Sequence, residues 1–149
     1  SRIAYIEKGT LFKRNFNFLC VMNPDGSGRE ILDTCWDDTT YSSENTWTRM
    51  GASGNCPLSW SPDSRFIAYF KYYESYSFYG LCLFDMHKGS SRQLTFGYSD
   101  LFPILSPDGR SLAFSDGYSD ERDEDGYTDI LLLNLTPWAQ PWRDLLLLE

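Results

Sequence analysis

No apolar run in this sequence approaches the roughly 20 residues a membrane-spanning helix requires; the greasiest stretch is Leu145–Leu148. A membrane span within these residues is therefore excluded. Basic residues are scarce: 13 Lys and Arg face 21 Asp and Glu, for a net charge of -8. Nucleic acid is disfavoured as a partner, because holding a phosphate backbone takes clustered Lys and Arg. Histidine occurs once, as His87 in the tight turn Asp85-Met86-His87-Lys88-Gly89, where it reads as polar surface. A hydrolase triad needs a nucleophile, a base and an orienting group. No Gly-x-Ser-x-Gly elbow occurs, and Gly51-Ala52-Ser53-Gly54 lacks its spacing. Asp37-Asp38 falls in a loop with no cleft to suggest paired-carboxylate chemistry. A phosphate-cradling glycine loop is absent too. The chain reads as non-catalytic.

What the sequence does contain is a repeat. Ser61-Pro62-Asp63-Ser64 returns as Ser106-Pro107-Asp108-Gly109, each followed by Arg and an apolar run, with Asp63 and Asp108 45 residues apart. That period suits a four-stranded propeller blade better than a helical repeat. Arg65-Phe66-Ile67-Ala68-Tyr69-Phe70 matches Arg110-Ser111-Leu112-Ala113-Phe114-Ser115, and an earlier copy stands at Ser1-Arg2-Ile3-Ala4-Tyr5-Ile6. Small, β-branched and aromatic residues dominate these runs, so they predict short buried strands. A further strand follows in each copy, at Leu19–Met22, Leu81–Phe84 and Ile130–Leu133. Asn23-Pro24-Asp25-Gly26-Ser27-Gly28 then predicts a turn before Arg29-Glu30-Ile31-Leu32, echoed by Asp85–Ser91 before Arg92-Gln93-Leu94-Thr95.

These motifs resemble the TolB-type β-propeller repeat, with its Trp-Ser-Pro-Asp-Gly turn and Ile-Ala-Phe-like strand. Trp60-Ser61-Pro62-Asp63-Ser64 fits with Ser in place of Gly, and Leu105 replaces the Trp in the third copy. The expected fold is all-β: about three blades of four antiparallel strands. Residues 1–32 form repeat one, 33–56 an insertion, 57–95 repeat two and 96–149 repeat three. Closed propellers have about four to eight blades. A partial propeller is expected, completed by another segment or another chain, with Leu145–Leu148 as a last strand packed on a neighbour. A propeller fold does not fix a function.

The two pairs among the four cysteines differ in kind. Cys20 and Cys82 hold the same place in successive copies, within apolar strands, and read as buried thiols. Cys35 and Cys56 bracket the polar insertion, and a disulfide there would staple its base, contributing about 3 kcal/mol. Such a bridge favours an extracytoplasmic compartment, periplasmic or secreted. Neither pair has metal-finger spacing.

The irregular segments gather on one side of the expected propeller. Ala4 to Ala68 spans 64 residues against 45 for Ala68 to Ala113, and most of the excess lies between Leu32 and Leu58. The first hairpin, Glu7–Asn17, is basic and aromatic; the second, Lys71–Gly80, carries Tyr72, Tyr73, Tyr76, Phe78 and Tyr79 among serines. Tyrosine and serine together have the chemistry of binding loops, and Trp36 and Trp47 add anchors of the kind that dominate interfaces. A protein partner or larger assembly is expected on this face; a glycan is a weaker alternative. The same pattern suits the accessory propeller of a hydrolase or peptidase whose catalytic domain lies elsewhere.

The third hairpin, Glu121–Asp129, has alternating carboxylates and resembles the calcium loop of integrin-type propellers, with Glu121 in place of the first Asp. That resemblance implies Ca2+ held by Glu121, Asp123, Asp125, the Tyr127 carbonyl and Asp129. Calcium takes six to eight oxygens. A solvated acidic hairpin tip is the competing reading.

Overall fold

The computed structural model describes residues 1–11, 14–36, 58–73, 78–96, 100–118 and 127–136. Among these described residues there are ten strands: β1 (Ile3–Leu11), β2 (Arg14–Met22), β3 (Glu30–Trp36), β4 (Leu58–Trp60), β5 (Phe66–Tyr73), β6 (Phe78–Asp85), β7 (Ser90–Gln93), β8 (Asp100–Leu105), β9 (Ser111–Tyr118) and β10 (Tyr127–Asn134). They form three antiparallel sheets, β1-β2-β3, β4-β5-β6-β7 and β8-β9-β10. The all-β expectation holds. The repeat alignment matches β1 with β5 and β9, so the second sheet shows all four blade positions. Among the described residues, the first sheet shows positions two to four and the third shows one to three.

The period-two geometry of strands explains why the central runs are almost wholly apolar. Ile67, Tyr69, Cys82 and Phe84 point to one side, where they pack on Leu19, Val21 and Cys35 of the first sheet. Their sequence neighbours Ala68, Phe70, Leu81 and Leu83 point to the other, onto Leu105, Leu112, Phe114 and Leu135. A sheet with both faces covered has no position for an exposed polar alternate. Trp60 and Leu105, the repeat-equivalent residues, each pack toward the preceding sheet. This is why Leu is accepted where the first copy of the turn has Trp: both positions ask for apolar volume.

The repeated turn is held by one hydrogen-bonding scheme used twice. Ser61 Oγ donates to Asp63 Oδ1 at 2.5 Å, Arg65 N donates to the same oxygen at 3.0 Å, and Phe66 N donates to Ser61 Oγ at 2.8 Å. In the next copy Ser106 Oγ to Asp108 Oδ1 is 2.6 Å, Arg110 N to Asp108 Oδ1 is 3.0 Å, and Ser111 N to Ser106 Oγ is 2.9 Å. Serine accepts one strand amide while aspartate collects the hydroxyl and a second amide. The fourth turn residue is left-handed, φ 58° at Ser64 and 69° at Gly109. Glycine adopts that conformation freely and serine does not.

Three local features differ from the sequence expectation. The aromatic hairpins are largely strand: β1 and β2 pair out to Leu11↔Arg14, and β5 and β6 out to Tyr73↔Phe78. Aromatic and β-branched residues favour the pleated surface, so they extend the ladder rather than loop out. Strand β3 likewise runs to Trp36, taking in residues 33–36 that the sequence boundary assigned to the insertion. Finally, the Arg29 and Arg92 segments are echoes in sequence but not in register. Glu30 stands across from Val21 where Arg92 stands across from Leu83, and a bulge at Leu19/Cys20 adds a further residue. The exposed outermost strand carries too little apolar patterning to fix its register from sequence.

In β8, the ladder shifts between Leu101 and Ile104, at Phe102 with φ 54° and the fully buried Pro103. Proline cannot donate to a ladder, and a bulge removes the need.

Candidate recognition face

Antiparallel pairing places particular strand ends together. In the second sheet, the start of β4, the end of β5, the start of β6 and the end of β7 share one end. In the first sheet that end has Leu11, Arg14 and Trp36, with Phe16 across from Trp36. In the third it has Asp100, Tyr118 and Tyr127. The segments 12–13, 37–57, 74–77, 97–99 and 119–126 therefore all leave their strands on the same end of their sheets. The opposite ends carry the compact Ser-Pro-Asp and Asp85–Gly89 turns.

The loop-bearing ends of the first two sheets are tied by a polar contact that the sequence reading missed. Lys71 Nζ pairs with Asp33 Oδ1 at 2.8 Å, and the buried Tyr69 hydroxyl donates to Asp33 Oδ2. Thr34 N also donates to Asp33 Oδ1, at 2.7 Å. Burial alone would push the Asp33 carboxyl up, but the hydrogen bonds from Lys71 and Tyr69 and the lysine charge outweigh it and hold it below its ordinary value. Burial, with the carboxylate beside it, pushes the Tyr69 hydroxyl far up, so it remains a donor. Asp33 lies three residues from Trp36, and Lys71 two from Tyr73. In β2, across from Cys35, Asn17 is buried and its side-chain carbonyl has no hydrogen-bond partner. The signal for the tie was available only as a charged residue inside an apolar run, at Lys71.

The expected partner-binding residues divide by location. Trp36 ends β3; Tyr72 and Tyr73 end β5, in register with Tyr79 and Phe78 at the start of β6. These aromatics are thus brought to one edge of adjacent sheets. Trp47 and Tyr76 lie outside the described residues, as does Cys56; Cys35 is buried in β3. Of the expected calcium ligands, Glu121, Asp123 and Asp125 lie outside the described residues. Tyr127 opens β10 across from Tyr118, and Asp129 stands in register with Asp116, which in turn stands across from Asp100. Three aspartates thus form one row across the third sheet. Sequence distance hid this row, since Asp100 and Asp129 meet only through β9. Among the described residues no group of three His, Cys, Asp or Glu side chains is placed to hold a metal ion.

At the other end, His87 is exposed, and its amide donates to Asp85 Oδ1 at 2.9 Å. Arg65 clasps the same carboxylate, Nη2 to Oδ2 at 3.0 Å, with its guanidinium 4.7 Å from the Phe66 ring centre. Burial works against the Asp85 charge, but Arg65 and the turn amides outweigh it and hold the carboxyl low. Its aspartate is thereby engaged in the turn.

Solved structures share this fold. TolB from Acinetobacter baumannii superposes with a TM-score of 0.61 at 21% identity, over 91% of this chain and 28% of that one. The chain adopts part of a β-propeller. The β-propeller domain of the Trilobed protease from Pyrococcus furiosus, described as an open velcro topology, gives 0.62 at 15% identity, over 89% of this chain and 36% of that one. An acylaminoacyl peptidase from Pyrococcus horikoshii gives 0.60 at 14%, over 91% and 22%. These identities carry the propeller fold and no activity. The chain spans between about a tenth and two fifths of the length of the solved proteins it resembles. No protein-family model and no curated protein matches the sequence. No helix among the described residues is long and apolar enough to cross a membrane.

Proposed function

We propose that this chain is a non-catalytic propeller segment that binds a protein partner, or takes its place in a larger assembly, through the loop-bearing face. The supporting observation is the convergence of irregular segments on one end of the three sheets, with Tyr72, Tyr73, Phe78, Tyr79 and Trp36 at the strand ends that support them. Rigid amphipathic rings on a paired ladder give contact area at low entropic cost. The test is affinity purification with the chain as bait, beside a Tyr72→Ser/Tyr79→Ser double variant that keeps the wild-type circular dichroism. An assembly held by wild type and lost by the variant supports the reading; equal recovery by both refutes it.

A second reading is an accessory propeller of a hydrolase. It is favoured by the peptidases among the similar structures. A coding sequence continuing into an α/β-hydrolase pattern would decide for it.

We further propose Ca2+ at the Glu121–Asp129 hairpin, supported by the row Asp100, Asp116, Asp129, because like charges directly across a ladder are destabilising unless compensated. Calcium should raise the melting temperature and protect this hairpin from proteolysis, and a flat calorimetric titration would remove it. The Cys35–Cys56 bridge and an extracytoplasmic location are proposed together. Thiol labelling of the unreduced, unfolded chain tests the bridge: both residues remain unlabelled if it forms. Glycan binding is the weaker alternative, read on a sugar array.

A further inference from the structure

The two junctions between neighbouring sheets follow one plan and differ at one point. Leu19 and Leu81 hold the same place in successive repeats, each on the face turned toward the following sheet. Beside Leu81 the outer strand brings Leu94, whose amide donates to Leu81 O at 2.8 Å. Beside Leu19 the outer strand brings Asp33 instead. The bulge at Leu19/Cys20 is the cause: Ile31 stands across from Cys20 and Asp33 across from Leu19, so Leu32 is an extra residue. Without the bulge Leu32 would take the place that Leu94 takes in the second sheet. A bulge re-aims the side chains around it, and here it turns a carboxylate toward the second sheet.

The facing residues change in step. Ala68 aligns with Ala113, so Tyr69 aligns with Phe114. Across from Asp33 the Tyr69 hydroxyl holds one carboxylate oxygen and Lys71 Nζ holds the other, the lysine at 2.8 Å. At the second junction Leu94 packs on the core that contains Phe114. Where the outer strand is apolar the facing ring has no hydroxyl; where it is acidic the facing strand supplies a hydroxyl and an ammonium. The Lys71 and Asp33 side chains are 22% and 15% exposed and Tyr69 is fully buried, so this clasp is largely removed from water.

We infer that the bulge and the Asp33–Tyr69–Lys71 clasp form a key that fixes the order of the sheets: the first sheet accepts the second as its neighbour and rejects the third. Set against Phe114, the Asp33 carboxylate would be buried without a partner. Set against an apolar outer strand such as that of Leu94, the Tyr69 hydroxyl and Lys71 would be stranded in turn. Unpaired polar groups at the wrong junction discriminate between neighbours that offer similar apolar surfaces, and repeats of one sequence pattern offer such surfaces. The inference uses contacts inside the chain alone and stands apart from the partner-binding reading.

The experiment compares the whole chain with Asp33→Leu, with Tyr69→Phe/Lys71→Met, and with all three changes together, which rebuild the first junction on the apolar pattern of the second. In urea denaturation each of the first two should lower the folded-to-unfolded ratio at least about tenfold, because each leaves a buried polar group unpaired. The triple variant should recover most of that loss. Asp33→Asn, which keeps an acceptor for the Tyr69 hydroxyl and removes the charge, replaces Asp33→Leu if that variant does not fold. After refolding from urea, amide NMR spectra should show one set of signals for wild type and more than one for the triple variant, whose first two sheets then turn like faces to their neighbours. Recovery in the triple variant together with several signal sets supports the key. Losses that simply add, a triple variant that does not fold, or one that refolds to a single set of signals overturns it and leaves the propeller fold standing.

Discussion

Replacing Ser64 by glycine should stabilise the protein. Ser64 has φ 58°, and its counterpart in the next repeat is Gly109 with φ 69°. A non-glycine residue in the left-handed region costs about 1–2 kcal/mol, and glycine gives back about 0.5–1 kcal/mol through its greater freedom in the unfolded chain. The net gain expected for Ser64→Gly is about 0.5–1 kcal/mol. The turn does not depend on the Ser64 side chain, since it is held by Ser61, Asp63 and the Ser64 amide, which donates to Ser61 O at 2.9 Å. The reciprocal change, Gly109→Ser, should cost a similar amount. There a Cβ would meet only Pro62 Cδ at 3.7 Å, so backbone strain is isolated from steric clash. Urea denaturation monitored by tryptophan fluorescence and circular dichroism reads both, with an unchanged slope and shifted midpoints. In a chain of this size 1 kcal/mol moves the melting temperature by about 2–4 °C. A Ser64→Gly variant no more stable than wild type, together with a neutral Gly109→Ser, would refute the shared left-handed turn.

Other changes probe the sheet contacts and the buried charges. Leu81→Ala should cost about 2–5 kcal/mol, whereas Leu132→Ala at the equivalent exposed position should stay within about 0.5 kcal/mol in the monomer; chemical denaturation at low concentration compares them. Tyr69→Phe removes the hydroxyl that donates to Asp33 and should cost about 1–3 kcal/mol, measured in the same way. Asp33 and Asp85 are both held below their ordinary values in the fold. Their contribution is present above the unfolded carboxylate value near about 3.9 and is lost as pH falls through the lower folded value. Stability measured from neutral pH into acid should therefore fall less steeply in Asp33→Asn and Asp85→Asn than in wild type, though both begin lower.

The parts of the fold that were legible in the sequence are those where apolar pattern and turn chemistry agree. Ile67-Ala68-Tyr69-Phe70 and Leu81-Cys82-Leu83-Phe84 are covered on both faces, and the Ser-Pro-Asp turns are closed by their own side chains. Both signals are local, so a single sequence carries them. The register of the outermost strand is not legible in the sequence because Glu30, Ile31, Ser91 and Arg92 are exposed, and burial does not select among registers there. The loop-bearing face was legible as composition and not as geometry. Tyrosines could be counted, but that Tyr72 and Tyr73 continue a strand against Tyr79 and Phe78 depends on pairing energy summed over the whole hairpin. The Asp33 tie and the aspartate row were hidden for another reason: Asp33 and Lys71 are 38 residues apart, and Asp100 and Asp129 are joined only through Asp116. Such contacts exist only once the sheets are stacked.

Stacked sheets with the second at the centre are the claim on which all the rest depends, and native-state hydrogen exchange tests it residue by residue. The amides of Ile67–Tyr69 and Cys82–Phe84 should exchange slowest in the chain, because both their faces are covered and their ladders are paired on both sides. The amides of Ile130–Leu133 should exchange faster by comparison in the monomer, with one face open. Equal protection in the two segments, or rapid exchange through Ile67–Tyr69, would contradict the account.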